Sequence, residues 1–329
     1  MSIVSMFSQH EIFVLDAGYG YLKAVDREGN VNILRNAYIP SSGSDSSIPL
    51  SSSTKKVTLQ IKEDGIGFME ETRIYGAGVA HITHKGSTTV LKSSEARFSL
   101  AALLTEKQAK KILTLICIHN EEKDFKKLEK DLLGSYEVTI NGILISTYVE
   151  KVLFQKEGIG TFFYLLKNKM LYTTGDVRIL DLGFGLANDL ILSNSGEIRF
   201  YKTTQDLTVL TIAKDIANSD IYQASCSEGP HNLASIGDAL EKDVPLGKMG
   251  REDWEKIKKF ALLKYFKRVQ QHLSVSVQGA YVNTYILTGG GSELLKNNLP
   301  KVKEVFTIPE KAGIASLLGT LEIPEIKKL

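Results

Sequence analysis

Hydrophobic and polar positions fall into different rhythms along this chain, and each rhythm predicts an element. Residues 13–31, FVLDAGYGYLKAVDREGNV, read as an apolar strand, a glycine turn and a second strand. Residues 31–90 are rich in Ser, Thr and Gly with short β-like runs (VTLQI, GIGF, RIYGAG), which predict a small inserted subdomain with loops such as Ser41–Thr54. Residues 95–110 read as a helix, and LTLICI at 113–118 as a buried strand. Asn120 is placed to cap a helix that carries Glu121 and Glu122 in its first turn, has a Lys-rich body and ends at Gly134. YEVTINGILIST is a hairpin with an Asn141-Gly142 turn. A helix follows from about Glu157 to Lys169, beginning GIGTFFYLL.

The second half has its own series. Residues 178–198, RILDLGFGLANDLILSNSGEI, again give strand, glycine turn and strand. Asp206-Leu207-Thr208 opens a helix to about Asn218. Residues 219–250 are less periodic and predict a second small subdomain with short helices. Arg251–Val275 reads as one long helix with Phe260, Leu263, Phe266 and Leu273 on its apolar side and basic residues outward, a solvated face rather than a DNA site. Tyr281–Leu287 is a strand that runs into Gly289-Gly290-Gly291, with a helix starting at Ser292. Near the end, Gly313–Gly319 is a helix of small residues, suited to close packing or a hinge.

The two hairpins are copies. Asp16 aligns with Asp181, Gly18 with Gly183, Tyr19 with Phe184 and Gly20 with Gly185, about half a chain length apart. Their chemistry is legible. A strand delivers an Asp at its end, and two glycines let the backbone turn tightly and bring N–H groups against a ligand. Backbone N–H groups suit phosphate oxygens. A carboxylate beside phosphates is useful when a cation lies between them, so Asp16 and Asp181 imply Mg²⁺ held through its waters. A dinucleotide-binding loop needs a third glycine opening a helix, but Tyr21-Leu22-Lys23-Ala24-Val25 is strand-like. Lys23 stands beyond the first turn, where it could reach back to phosphate; Asn188 takes its place in the second copy. The strand–Gly289-Gly290-Gly291–helix junction leaves space and N–H donors for a nucleotide.

Composition narrows the class. A chain of 329 residues suits roughly two domains, and 43% hydrophobic residues supply a core. A net charge of +2 with 24% charged residues gives no electrostatic case for direct nucleic-acid binding. Cys117 and Cys226 make neither a disulfide framework nor a zinc ligand set and suggest a reducing compartment. Neither a signal peptide nor a membrane span is readable, so a cytoplasmic globular protein is expected.

Five stretches stand in one order: LDAGYGYLK, the helix at EGIGTFFYLL, LDLGFGLAND, LTGGGSELL and AGIASLLG. The series resembles the phosphate 1, connect 1, phosphate 2, adenosine and connect 2 motifs of the actin-like ATPase superfamily, which includes hexokinases, chaperone ATPases, FtsA and PilM. The chain length, Tyr75-Gly76-Ala77-Gly78 and the strand–helix–hairpin order of 113–153 look most like ParM plasmid-segregation proteins and archaeal actin homologues. The resemblance implies an α/β actin/hexokinase/chaperone-ATPase fold of two duplicated domains, 1–168 (insertion about 31–90) and 169–329 (insertion about 219–275). The helix at about 310–321 would return to the first domain, and nucleotide would sit in the interdomain cleft. It further implies that Asp16 and Asp181 hold Mg²⁺ through water. Gly18, Tyr19, Gly20, Gly183, Phe184 and Gly185 would give backbone contacts to phosphate, Lys23 would touch phosphate, and Gly289, Gly290 and Gly291 would bound the base and sugar of ATP or GTP. Glu157, with Gln155 as the fallback, matches the residue that orients attacking water.

Three departures are visible. Ala187-Asn188-Asp189 replaces a hydroxyl-bearing stretch, which would slow hydrolysis. Cys117-Ile118-His119-Asn120 replaces a glycine-containing turn, with His119 read as structural. Thr203-Thr204-Gln205 replaces a glycine-rich turn. The resemblance implies a slow ATPase that polymerises for plasmid or DNA segregation, or for scaffolding, with itself and a DNA-binding adaptor as partners. The alternatives are a non-polymerising nucleotide-binding scaffold and a small-molecule kinase. A kinase of this superfamily needs an Asp base in a compact motif, which residues 113–125 lack.

Overall fold

A computed structural model describes residues 7, 9–40, 54–63, 67–76, 95–171, 174–225 and 233–329. Contacts divide the chain into two compact units, Met1–Lys156 with Leu329, and Glu157–Lys328.

The first unit is built on β1 (Gln9–Ala17), β2 (Tyr21–Asp26), β3 (Val31–Arg35), β4 (Tyr38–Pro40), β5 (Thr54–Glu63), β6 (Gly67–Gly76), β7 (Lys111–Ile118), β8 (Gly134–Ile140) and β9 (Ile143–Gln155), with α1 (Ala96–Leu103) and α2 (Phe125–Leu132). Its described strands form one sheet in the order β3-β2-β1-β7-β9-β8-β5-β6-β4. β1, β7 and β9 run parallel. Central parallel strands are covered on both faces, which is why β1 and β7 read as continuous apolar runs. Leu15, Leu22, Leu100, Leu113, Leu115 and Val149 belong to the core.

The second unit contains α3 (Ile159–Lys167), β10 (Asp176–Leu182), β11 (Ala187–Leu192), β12 (Ile198–Thr204), α4 (Val209–Ala217), α5 (Asp220–Ser225), α6 (Leu233–Lys242), α7 (Arg251–Ser274), β13 (Val282–Thr288), α8 (Gly289–Asn298), α9 (Val302–Val305), α10 (Ala315–Thr320) and α11 (Pro324–Lys327). Its sheet has the order β12-β11-β10-β13, with β10 and β13 parallel. That is the pattern of β3-β2-β1-β7 over again: an antiparallel three-strand meander whose first strand pairs in parallel with a later one. The repeat seen as a short motif is therefore a repeat of topology.

Several elements differ from expectation. The helix expected over 95–110 ends at Leu103, because Thr105 and Gln108 form a capping box around a separate 3-10 turn. The helix expected after Asn120 starts at Phe125, behind a 3-10 turn at Glu122–Asp124 whose cap position is Glu121. The hairpin turn falls at Asn141-Gly142 as expected, with φ of 50° and 88° in the left-handed region that such a tight turn needs. On α7 the buried stripe is Trp254, Ile257, Ala261, Tyr265, Val269 and Leu273. Phe260 and Leu263, expected on that stripe, are 66% and 42% exposed. Described residues within 31–90 are not a separate sheet; β5, β6 and β4 extend the first sheet through β8.

Contacts place α3 in the second unit, ahead of the expected boundary at residue 168. The expected helix at 310–321 is a 3-10 turn (Ala312–Ile314) followed by α10, and α10 packs on α3, which lies within the expected first domain of 1–168 but within the second unit by contacts. Cys117 is buried in β7 as a free thiol, and burial pushes its pKa up. Cys226, Ala77, Gly78 and most of the expected loop at 41–54 lie outside the described residues.

Candidate functional site

Each hairpin turn is held from behind. In the first unit the Gly18 carbonyl accepts from Asn36 Nδ2 at 2.7 Å, and the Gly20 carbonyl accepts from Arg35 Nη1 at 2.8 Å and the Asn36 N–H at 3.0 Å. In the second unit the Gly183 and Phe184 carbonyls accept the Val209 and Leu210 N–H groups at 3.1 and 3.0 Å. These donors belong to the first turn of α4, whose N–H groups have no partner within the helix. Different elements thus do the same job. A trans peptide points its N–H opposite its carbonyl, so tying the carbonyls back turns the N–H edge of each loop to the other side. Neither turn has room for a side chain at its first glycine. A Cβ on Gly18 would lie 2.8 Å from the Tyr21 carbonyl, and one on Gly183 2.3 Å from the Leu186 carbonyl. The Phe184 ring packs against Gly237 of α6.

Behind each turn a pair of residues faces across the hairpin. Asp16 pairs with Lys23, whose Nζ stands 3.6 Å from Asp16 Oδ2. Asp181 pairs with Asn188. The second sheet carries this row across all four strands: Thr288 on β13, Asp181 on β10, Asn188 on β11 and Thr203 on β12 are consecutive cross-strand partners. Such partners share one face of a sheet.

The N-terminal end of α3 meets that row. Asn188 Nδ2 donates to Glu157 Oε2 at 2.6 Å, and Thr203 Oγ1 donates to Asn188 Oδ1 at 3.0 Å. Thr161 Oγ1, in the first turn of α3, donates to Thr288 Oγ1 at 3.3 Å, and Thr288 Oγ1 donates to the Ala312 carbonyl at 2.9 Å. A Cβ on Gly158, the α3 cap, would lie 3.7 Å from the Asp181 Cβ. The start of α8 arrives from another side. Gly289 has φ +82°, and a Cβ there would lie 2.4 Å from Asp181 Oδ1. A Cβ on Gly291 would meet Leu182 and the Tyr265 hydroxyl, whereas one on Gly290 would meet nothing within 4 Å. The expected strand–glycine–helix junction is thus the first turn of α8 itself.

Tyr201 borders the cluster. Burial, reinforced by the Glu157 and Asp181 carboxylates, pushes its phenol pKa far up, against a hydrogen bond with Thr203. Below the row, Arg178 binds Asp189 through Nε at 2.9 Å and Nη2 at 2.7 Å, and His272 Nε2 lies 2.8 Å from Asp189 Oδ2. Burial acts to raise the Asp189 pKa, but Arg178 and His272 outweigh it and hold the carboxyl below its ordinary range.

Glu157, Asp181, Gly183, Gly289 and Asn188 are therefore brought together in the second unit, and Asp16, Gly18, Gly20 and Lys23 in the first. Gln155, the fallback for Glu157, ends β9 and receives the His119 N–H on its carbonyl. His119 is buried, 3.2 Å from Asp124 Oδ2 and beside the Phe125 ring, a structural setting. Sequence reasoning missed Arg35, Asn36, Thr161, Thr288 and the role of Thr203. Cross-strand register from the aligned Asp residues could have found Thr288.

No protein-family model matches the chain, and no curated protein sequence does. Solved structures match over nearly the whole length. The ParM subunit of a 15-stranded filament from Clostridium botulinum superposes with a TM-score of 0.72 at 15% identity, covering 98% of this chain and 100% of that one. This chain has an actin-like fold. ParM of Bacillus thuringiensis with ATP gives a TM-score of 0.65 at 15% identity, over 98% of this chain and 100% of that one. An archaeal actin homologue in complex with ADP gives 0.60 at 17%, over 94% and 97%. The actin-like fold accounts for the duplicated meander and for the position of each glycine turn at the end of a central strand. Among the described residues no helix is long and apolar enough to cross a membrane.

Proposed function

We propose that this chain binds a purine nucleoside triphosphate with Mg²⁺, hydrolyses it slowly and polymerises into filaments. The observation that carries the reading is the cluster around Asp181. One carboxylate is flanked by a tied-back glycine turn, the start of α3 with Glu157, and the start of α8 at Gly289. The first unit repeats the carboxylate and the turn and adds Lys23.

The roles follow from chemistry. The N–H edges of Gly18–Gly20 and Gly183–Gly185, the latter beside the starts of two helices, suit phosphate oxygens. Lys23 adds a positive charge. Glu157 aligns the attacking water and accepts its proton, and positioning is most of what phosphoryl transfer needs. Gly290, with open space where a side chain would be, lets the base and sugar approach the backbone. The donor set fits Mg²⁺: each hairpin offers a single carboxylate, and among the described residues no group of three His, Cys, Asp or Glu gathers as a direct cage. Mg²⁺ keeps several waters and takes one or two carboxylates plus substrate phosphates. When bound, it neutralises charge on the phosphate oxygens.

The filament structure of a fold neighbour supports self-assembly, and the neighbours with ATP and ADP support the ligand class. Segregation of plasmid or other DNA through a DNA-binding adaptor, or cytoplasmic scaffolding, is the use we assign to the polymer. Sedimentation at tens of micromolar protein with ATP, GTP or their non-hydrolysable analogues tests it. Pelleting that depends on nucleotide is expected. A chain that binds nucleotide but never pellets is a non-polymerising scaffold, and transfer of phosphate to sugars would make it a kinase. Glu157→Gln should keep nucleotide affinity and lose turnover by about 100-fold or more.

A further inference from the structure

Asn188 stands where the actin-like pattern carries a hydroxyl, and by sequence alone that departure reads as a defect in hydrolysis. The structure gives it a use. Asn188 Nδ2 donates to Glu157 Oε2 at 2.6 Å, and its Oδ1 accepts from Thr203 Oγ1 at 3.0 Å. The second bond fixes which way the amide faces: with the oxygen engaged by a hydroxyl donor, the NH₂ end turns to the carboxylate. Asn188 is itself 1% exposed and lies on β11, between two paired strands, so its side chain has little freedom to leave. Thr203 sits directly across the ladder from it. Glu157, by contrast, precedes α3, where backbone hydrogen bonding alone does not fix a side chain.

We infer that Asn188 and Thr203 are positioning residues: a Thr203–Asn188–Glu157 relay, anchored in the sheet, aims the Glu157 carboxylate for water activation. The inference rests on the nucleotide-hydrolysis reading above. The departure therefore substitutes one way of ordering the water-activating end of the site for another, and the relay reaches onto a third strand to do so. Neither residue need touch nucleotide, so affinity should be nearly indifferent to them while the chemical step is not.

The test is steady-state turnover of ATP and GTP across pH, with affinity for a non-hydrolysable triphosphate measured alongside and thermal unfolding as a check on folding. Asn188→Ala and Thr203→Val should lower kcat by about 100-fold and about 10-fold, the scale of a misplaced catalytic group, with affinity within about threefold of wild type. Thr203→Ser should restore most of the loss. Asn188→Asp is the sharper probe. It places two carboxyl groups at hydrogen-bond distance, where they compete for one proton, so the acid limb of the pH–kcat profile should rise by about one unit or more. A purely structural Asn188 would lower activity without moving that limb. If Glu157→Gln abolishes turnover but Asn188→Ala and Thr203→Val stay within twofold of wild type, or if the Asn188→Asp limb does not move, the relay is overturned and the hydrolysis reading stands. A wild-type chain that turns over neither nucleotide overturns both.

Discussion

At the scale of single residues, adjacent glycines at the start of α8 answer different demands. Gly289 is required by the fold: its φ is +82°, and a Cβ would be driven against Asp181 Oδ1 and the Leu182 carbonyl. Gly290 has no such reason, since a side chain there meets nothing within 4 Å. A glycine that neither conformation nor packing demands is the mark of a residue kept small for something outside the fold. The two substitutions should therefore separate. Gly289→Ala should lower unfolding stability by about 1–3 kcal/mol, the scale of backbone strain at a position that excludes side chains. Gly290→Leu should leave the urea midpoint nearly unchanged and weaken nucleotide binding about tenfold or more, measured by titration. A Gly290→Leu chain that binds as well as wild type would remove this junction from the ligand site. The asymmetry between Lys23 and Asn188 is also a residue-scale fact. Both face the Asp of their hairpin, yet Lys23 adds a charge beside Asp16, while Asn188 turns its amide to Glu157.

At the scale of elements, the hairpins were legible because their information is local. An apolar strand ending in Asp and a turn that must be glycine are written within a few residues, and both turns formed as expected. The supports of those turns were not legible. Arg35 at the end of β3 and Asn36 just beyond it reach the first, and α4 reaches the second through its own first turn, so nothing in the spacing is shared. Thr203 was hidden by a register shift at Ile191/Leu192, which breaks simple counting from β11 to β12. The α7 stripe was misplaced because its buried line includes Ala261, while the larger Phe260 beside it faces solvent. Side-chain size then marks the wrong column. The small-residue stretch was read rightly as suited to close packing, and the partner is now defined. A Cβ on Gly160 of α3 would lie 1.9 Å from the Ser316 carbonyl, and one on Gly319 of α10 would lie 1.8 Å from the Gly160 carbonyl. Backbone meets backbone here, so no rotamer change relieves the clash. Gly319→Ala should cost about 1–3 kcal/mol by forcing the helices apart. Because α3 follows directly on Glu157, turnover should fall beyond what the fraction unfolded explains. Denaturant unfolding paired with kcat on the folded fraction checks both, and an unchanged midpoint would refute the contact.

At the scale of the whole molecule, the second unit is tied together by carboxylates that depend on being charged. Asp189 is held by Arg178 and His272 and joins the β10–β11 hairpin to the end of α7, where Arg178 Nη1 also binds the Leu273 and Val275 carbonyls. Asp215 of α4 binds Lys264 and Arg268 of α7. Asp243 binds Lys258, Arg251 and the Trp254 indole. Glu322 binds Lys167 of α3 and Lys327 of α11. All four titrate below their ordinary range. For Asp189, Asp215 and Glu322, burial acts to raise the pKa and the cationic partners outweigh it. Asp243, led by its hydrogen bond to Lys258, is lowered to about 2. A carboxylate depressed in the folded state adds stability that is full above its unfolded pKa, near 4, and is lost as pH falls through the folded value. The second unit should therefore hold its stability down to about pH 5 and lose it steadily from there toward pH 2. The chain's one tryptophan, Trp254, is fully buried in this unit, so its fluorescence during urea unfolding reports on this unit directly. The urea midpoint should fall as pH drops from 5 to 3. Asp215→Asn should start lower at pH 7, having lost an ion pair, and fall less steeply, because it has one proton fewer to take up on unfolding. A wild-type midpoint that is flat between pH 5 and 3, or a variant with an unaltered slope, would show that these ion pairs do not set the acid limit of the fold.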